Sequence, residues 1–189
     1  MGWNQVRWTE AQQVAQLMGI DEENRPADGI TPFDHYQALR GKDDRYAALT
    51  FLGHALPRLE AIAWAARIVE LAAAERELRR PDRQALDHSL RWLGEPSDAN
   101  RRAAMDSAAF AGEASPERML ATSVFYSGGS ISGPDDPPVQ PPPELAGRLA
   151  AVAIVMAAAR VADGDALYDK ALDLGEKVAA EGTRALEAA

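Results

Sequence analysis

The sequence contains no cysteine among its 189 residues. Disulfides and zinc held by thiolates are excluded by that absence alone. Strand formers are scarce as well: aromatics make up 6% of the chain, and no stretch alternates apolar and polar residues with β-branched side chains. Excess positive charge is also missing. The formal net charge is −9, whereas contact with nucleic-acid phosphates requires a basic surface, so no nucleic-acid partner is expected. Between Arg76 and Arg102, seven arginines face five carboxylates. That balance reads as solvated helix faces of mixed charge. The longest apolar run, Leu149 to Ala159, has eleven residues, and a bilayer span needs about 20. No membrane partner is expected, and the first residues lack the pattern of a signal peptide, so the expected location is cytoplasmic.

What the chain does have is alanine within a 47% hydrophobic composition. Alanine is the best helix former, so the bias is strongly helical. The length suits a single helical domain over 1–189. Thr9-Glu10-Ala11-Gln12 has the form of a capping box and predicts a helix to about Met18. Thr31 before Pro32 predicts the next helix, ending at Gly41. Lys42 to His54 follows, with Tyr46, Leu49 and Leu52 on one face. Pro57 then opens a long helix to about Leu78, whose apolar stripe of Leu59, Ile62, Ala63, Ala66 and Val69 is widened by Trp64, Ile68 and Leu71. Pro81, Ser97 and Ser115 mark three more starts. Leu145 to Val161 is apolar nearly all round, Gly164 ends it, and Asp165 starts the last helix. The expected architecture is all-α: an irregular bundle of about eight helices.

One segment departs from the helical pattern. Ser127-Gly128-Gly129-Ser130 is followed by six prolines between Pro134 and Pro143. The segment at 127–143 is predicted to be an extended connection, ordered and laid across the helices, because the apolar helix after it must return to the core. Trp64 and Trp92 are the candidate surface beneath it.

No catalytic constellation stands out. His35, His54 and His88 form no metal-ligand pair, and Asp43-Asp44 and Asp163-Gly164-Asp165 read as helix caps. Ser127-Gly128-Gly129-Ser130 lacks the context of a phosphate loop or a nucleophile elbow. No catalytic residue, cofactor or metal is therefore expected. Glu60, Trp64 and Arg67 lie one helical turn apart and suit either core packing or a partner hot spot. With Arg58, Tyr126, Pro141 and Pro142 they make up the candidate interaction surface.

Two stretches resemble an uncharacterised family of bacterial helical domains. One runs from His54-Ala55-Leu56-Pro57-Arg58-Leu59-Glu60-Ala61 to Trp64-Ala65. The other runs from Phe125-Tyr126-Ser127-Gly128-Gly129-Ser130 to Pro141-Pro142-Pro143, and Asn100-Arg101-Arg102-Ala103-Ala104-Met105 lies between them. Ala63 stands where members often carry a second aromatic. Because members of that family are often encoded beside type VI secretion components, the resemblance implies a non-enzymatic adaptor, chaperone or accessory protein with a protein partner. Two other readings stay open. One is an immunity protein whose acidic last helix covers a basic toxin. The other is an enzyme with a site at His54, Glu60 and Ser127, which requires those side chains to converge in a polar pocket.

Overall fold

The computed structural model describes every residue except Met1, Asp43, Pro134, Ala188 and Ala189. The described residues form nine α-helices and two short 3₁₀ turns, with no strand. In chain order the helices are α1 (Ala11–Leu17), α2 (Pro32–Gly41), α3 (Arg45–Ala55), α4 (Arg58–Ala74), α5 (Arg80–Gly94), α6 (Asp98–Ala108), α7 (Pro116–Phe125), α8 (Leu145–Ala158) and α9 (Gly164–Glu181). The fold is an irregular all-α bundle.

Five helices start where a short polar side chain accepts a bond from a backbone N–H three residues on. The caps are Thr31, Asp44, Ser97, Ser115 and Asp163. Each satisfies an amide that the helix itself cannot. Asp43, read as half of a capping pair, lies outside the described residues. Three boundaries differ from expectation. The first capping box is shifted by one residue: Glu10 is the cap, and the Gln13 carboxamide accepts from the Glu10 N–H at 3.1 Å. Gly164 does not end α8 but is the first residue of α9, capped by Asp163. And α4 stops at Ala74, four residues short of Leu78.

The core forms around α4, where Ile62, Trp64, Ile68 and Val69 are fully buried. α8 packs against it and buries Ala146, Ala150, Ala153, Ile154 and Ala157. Side chains this small let backbones approach closely. A Cβ built on Gly53 of α3 would lie 2.8 Å from the Gly147 carbonyl oxygen of α8, and one on Gly147 would overlap the Gly53 carbonyl oxygen. On α9, a Cβ at Gly175 would meet Leu52 and Trp64 at 2.6 and 2.8 Å. Two predicted core positions fall outside this packing: Tyr46 is 60% and Leu59 39% exposed. Both are the second residue of their helix, in its first turn.

Polar bonds fasten the layers where the core permits them. The Trp64 indole N–H donates to the Ala171 carbonyl at 2.8 Å, and the Tyr36 hydroxyl donates to the Leu172 carbonyl at 3.1 Å. Glu117 of α7 is wholly buried and takes both terminal nitrogens of Arg160, just past α8. On α9, the carboxylates Asp165, Asp169, Asp173 and Glu176 pair with Arg45 and Arg40.

Candidate functional site

The segment between α7 and α8 is built on arginines. α6 begins with Ser97 as cap and Asp98 as first residue, which places Arg101 and Arg102 one turn further along beside the Asp98 carboxylate. Held there, the Arg101 guanidinium is only 3% exposed and donates to the carbonyls of Phe125 (2.6 Å) and Ser130 (2.7 Å). It also lies over the Phe125 ring, 4.9 Å from the centroid. Arg102 donates to the carbonyls of Ser130 and Ser132, both at 3.1 Å. From the first turn of α4, Arg58 donates to the Ser127 carbonyl at 3.0 Å. Three guanidinium groups thus hold the chain from Phe125 to Ser132, and charged donors make such bonds stronger than neutral ones. Bonds from Arg101 and then Arg102 hold the Asp98 carboxyl below its ordinary pKa.

The residue types of this turn follow from the clamp. Gly129 has φ +67°, a conformation that disfavours side chains, and a Cβ there would crowd the Arg101 guanidinium at 3.2 Å. The Ser130 hydroxyl accepts from the N–H groups of Ser132 and Val139, at 3.2 and 3.0 Å. It also lies 2.7 Å from the Ser132 hydroxyl, which donates to the Pro137 carbonyl at 2.7 Å. The Ile131 N–H donates to the Val139 carbonyl at 2.9 Å and closes the loop. The described residues between these ends carry neither helix nor strand, and one serine and one backbone bond tie Ser130 and Ile131 to Val139. Described residues from Gly133 to Gln140 are exposed, Val139 at 51%, and the chain re-enters the body at Pro141, which is buried.

The sequence-based candidates divide. Arg58 and Tyr126 flank the clamp, Tyr126 edge-on to Phe125 at 5.3 Å. Pro142 is exposed, and Glu60 and Arg67 are half-buried. Two candidates do not belong on a surface. Trp64 is fully buried with its indole turned to α9, so it neither faces a partner nor supports the loop. Pro141 is buried where the loop rejoins the body. The residues missed were Arg101 and Arg102, read as solvated charge. The signal lay in Asp98, three and four residues before them, which pairs with both.

Beside the clamp, the N-terminal segment, the α3–α4 junction and the start of α8 line a half-open pocket of about 430 Å³, with Arg7, Trp8, Leu17, His54, Leu56, Pro57, Arg58 and Pro143 in its wall, among others. His54 is 5% exposed, and its Nδ1 lies 2.8 Å from the Thr50 carbonyl. A carbonyl only accepts, so Nδ1 carries the proton and Nε2 presents a lone pair. Burial, and then the charge of Arg148, holds the His54 pKa below its ordinary value, against the Thr50 bond and Glu144. Glu60 and Ser127 do not line this cavity. Among the described residues, no group of three or more histidines and carboxylates could hold a metal ion. Nor is any helix among them long and apolar enough to cross a membrane.

The fold and site define an all-α bundle that carries an arginine-clamped surface loop. The chain belongs to a family of unknown function, DUF6931, whose model matches residues 35–179. That match takes in the clamp, the loop and most of the cavity wall. No curated protein and no solved structure matches the chain.

Proposed function

We propose that the protein is a non-enzymatic interaction module, an adaptor, chaperone or accessory protein of bacterial type VI secretion, that presents its clamped loop to a protein partner. One observation carries the reading. The loop at 133–140 is exposed and polar bonds secure its base, so it meets a partner with little ordering left to do. Its prolines limit the freedom of the free state further, and Val139 offers an apolar contact at its end. Support for the secretion context comes from the resemblance of the two sequence stretches to domains encoded beside such systems. Location in the cytoplasm belongs to the same proposal, as does the single-domain organisation.

The enzyme reading draws less support. Its trio does not converge: the proton on His54 Nδ1 is directed at a helix carbonyl, and neither Glu60 nor Ser127 lines the pocket that His54 lines. The immunity reading needs a clustered carboxylate face, yet four of the carboxylates of α9, Asp165, Asp169, Asp173 and Glu176, are paired with Arg45 and Arg40.

Affinity purification from the native host tests the proposal, with wild type beside Val139→Asp. Secretion tube or spike components are expected with wild type and are lost with the variant, whose thermal stability stays unchanged. Recovery of a toxin instead, or equal recovery by both proteins, overturns it.

A further inference from the structure

We propose that the half-open pocket between the N-terminal segment, the α3–α4 junction and the start of α8 binds a small hydroxy acid with an apolar body. The pocket lies apart from the exposed loop tip but shares Arg58 with the base of the loop, so ligand binding is read on the pocket's own shifts and probes and not on partner recovery. About 430 Å³ is ample for a small ligand, within the range of roughly 300–1,000 Å³ typical of such sites. Each part of the ligand answers to something in the wall. Trp8, Leu56 and Pro57 supply apolar surface for the body. Arg7 and Arg58 supply cations, and neither forms an ion pair with a carboxylate among the described residues. No carboxylate lines the cavity. In a chain of net charge −9, two arginines with no carboxylate partner, the exposed Arg7 and Arg58, which also holds the Ser127 carbonyl, favour an anion beside this apolar wall, and guanidinium matches carboxylate.

The hydroxyl is argued from His54. This residue is more than nine-tenths buried, lines the cavity, and makes no hydrogen bond through Nε2 among the described residues. With the proton fixed on Nδ1 by Thr50, the Nε2 lone pair is an acceptor that is open to solvent, and a ligand hydroxyl in the pocket can take the place of water there. A bare carboxylate repels that lone pair, whereas a hydroxyl beside the carboxylate satisfies it.

Three probes separate the elements: 3-phenyllactate, 3-phenylpropionate without the hydroxyl, and the neutral 3-phenyllactamide. Titration calorimetry on the full chain is expected to give saturable phenyllactate binding, on the order of millimolar or tighter. The amide should bind about tenfold more weakly, and phenylpropionate several-fold more weakly. Arg7→Ala should weaken phenyllactate and Arg7→Lys restore most of it. His54→Leu should abolish the preference for the hydroxyl while leaving the preference for the acid over the amide. Amide shifts in nuclear magnetic resonance spectra should centre on Trp8, His54, Leu56 and Gly147. Absence of saturation overturns the proposal. So does equal binding of acid and amide, equal binding with and without the hydroxyl in wild type, or shifts that map elsewhere. The wild-type comparisons decide the matter even if His54→Leu fails to fold.

Discussion

Where α3 crosses α8, Gly53 and Gly147 bring two backbones together with no room for a methyl group between them. A few residues away, the chain from Ser127 to Ser132 rests on the body through guanidinium–carbonyl bonds. The first region is stabilised by exclusion of water and close contact between small residues. The second is stabilised by direction, since carbonyl lone pairs meet fixed donors. Alanine-rich helices bury little area per side chain, at roughly 0.8 kcal/mol per methylene, so their contribution depends on how closely they pack. The loop has almost no apolar area to bury, and each bond to a charged donor contributes about 1.5–3 kcal/mol. The two regions should therefore fail differently: the crossing with the whole fold, the loop locally.

The largest effect is expected from Glu117, the most deeply buried charge among the described residues. Glu117→Ala leaves the Arg160 guanidinium largely buried without its carboxylate, and such a loss costs about 3–5 kcal/mol. Urea unfolding should show that drop. A change below about 1 kcal/mol would mean that water reaches the pair. Next comes Gly147→Ala. In an ordinary helix this substitution stabilises by about 0.5–1 kcal/mol. Here the methyl meets the Gly53 carbonyl, a backbone atom that cannot swing aside, so destabilisation of about 2–3 kcal/mol is expected. The sign of the measured change decides whether the helices truly touch.

The same contrast explains what the sequence could and could not reveal. Helix starts were legible at Thr31, Ser97 and Ser115 because a cap is a local bond, three residues long. The box at Glu10 was misplaced by one residue because Thr9 and Glu10 can both serve, and the Gln13 carboxamide accepts from the N–H groups of both. Trp64 could not be assigned to core or surface from spacing, since its partner Ala171 is 107 residues away. The loop was conspicuous in composition, yet its shape was not legible. Its bonds come from Arg101 and Arg102, and nothing in the charge balance of that stretch sets those two apart. The cavity was invisible for a similar reason. Arg7, His54, Arg58 and Pro143 are far apart in sequence and meet only when α3, α4 and α8 pack.

A smaller and more local effect is expected at the clamp. Arg101→Lys keeps the charge but cannot reach Asp98, Phe125 and Ser130 at once. Global stability should fall by about 1–2 kcal/mol. Limited proteolysis should change more: cleavage between Ser127 and Pro143 becomes fast in the variant while the helices remain resistant. If wild type is already cut rapidly there, the bonds do not hold the loop in solution. If the variant unfolds as one unit, loop and core are not separable.

The smallest effect, and the one that sharpens the comparison without any substitution, is the response to mild acid. Burial holds the pKa of His54 below its ordinary value, with Arg148 adding to that; burial and then Lys42 do the same for His35, which packs edge-on to Phe51. Histidine in an unfolded chain titrates near 6.5. Below that pH the unfolded chain takes up protons that the folded one refuses, so stability falls as pH falls. Above it the contribution is fully present. At Asp82 burial alone raises the pKa, but bonds from Arg79 and the Gly112 N–H, with the charge of Arg79, leave it lowered. Its contribution, like that of Asp98 in the clamp, is present above the ordinary carboxylate range near 4 and is lost only on going lower. Between about pH 7 and 5, therefore, the core loses stability through its histidines while the clamp keeps every charge it uses. Urea midpoints should decline across that interval, and the ratio of loop cleavage to cleavage in the helices should not rise. The decline should flatten in a His35→Phe, His54→Leu double variant. A loop that loosens first on acidification would show instead that its hold depends on a group other than Asp98 and the arginines.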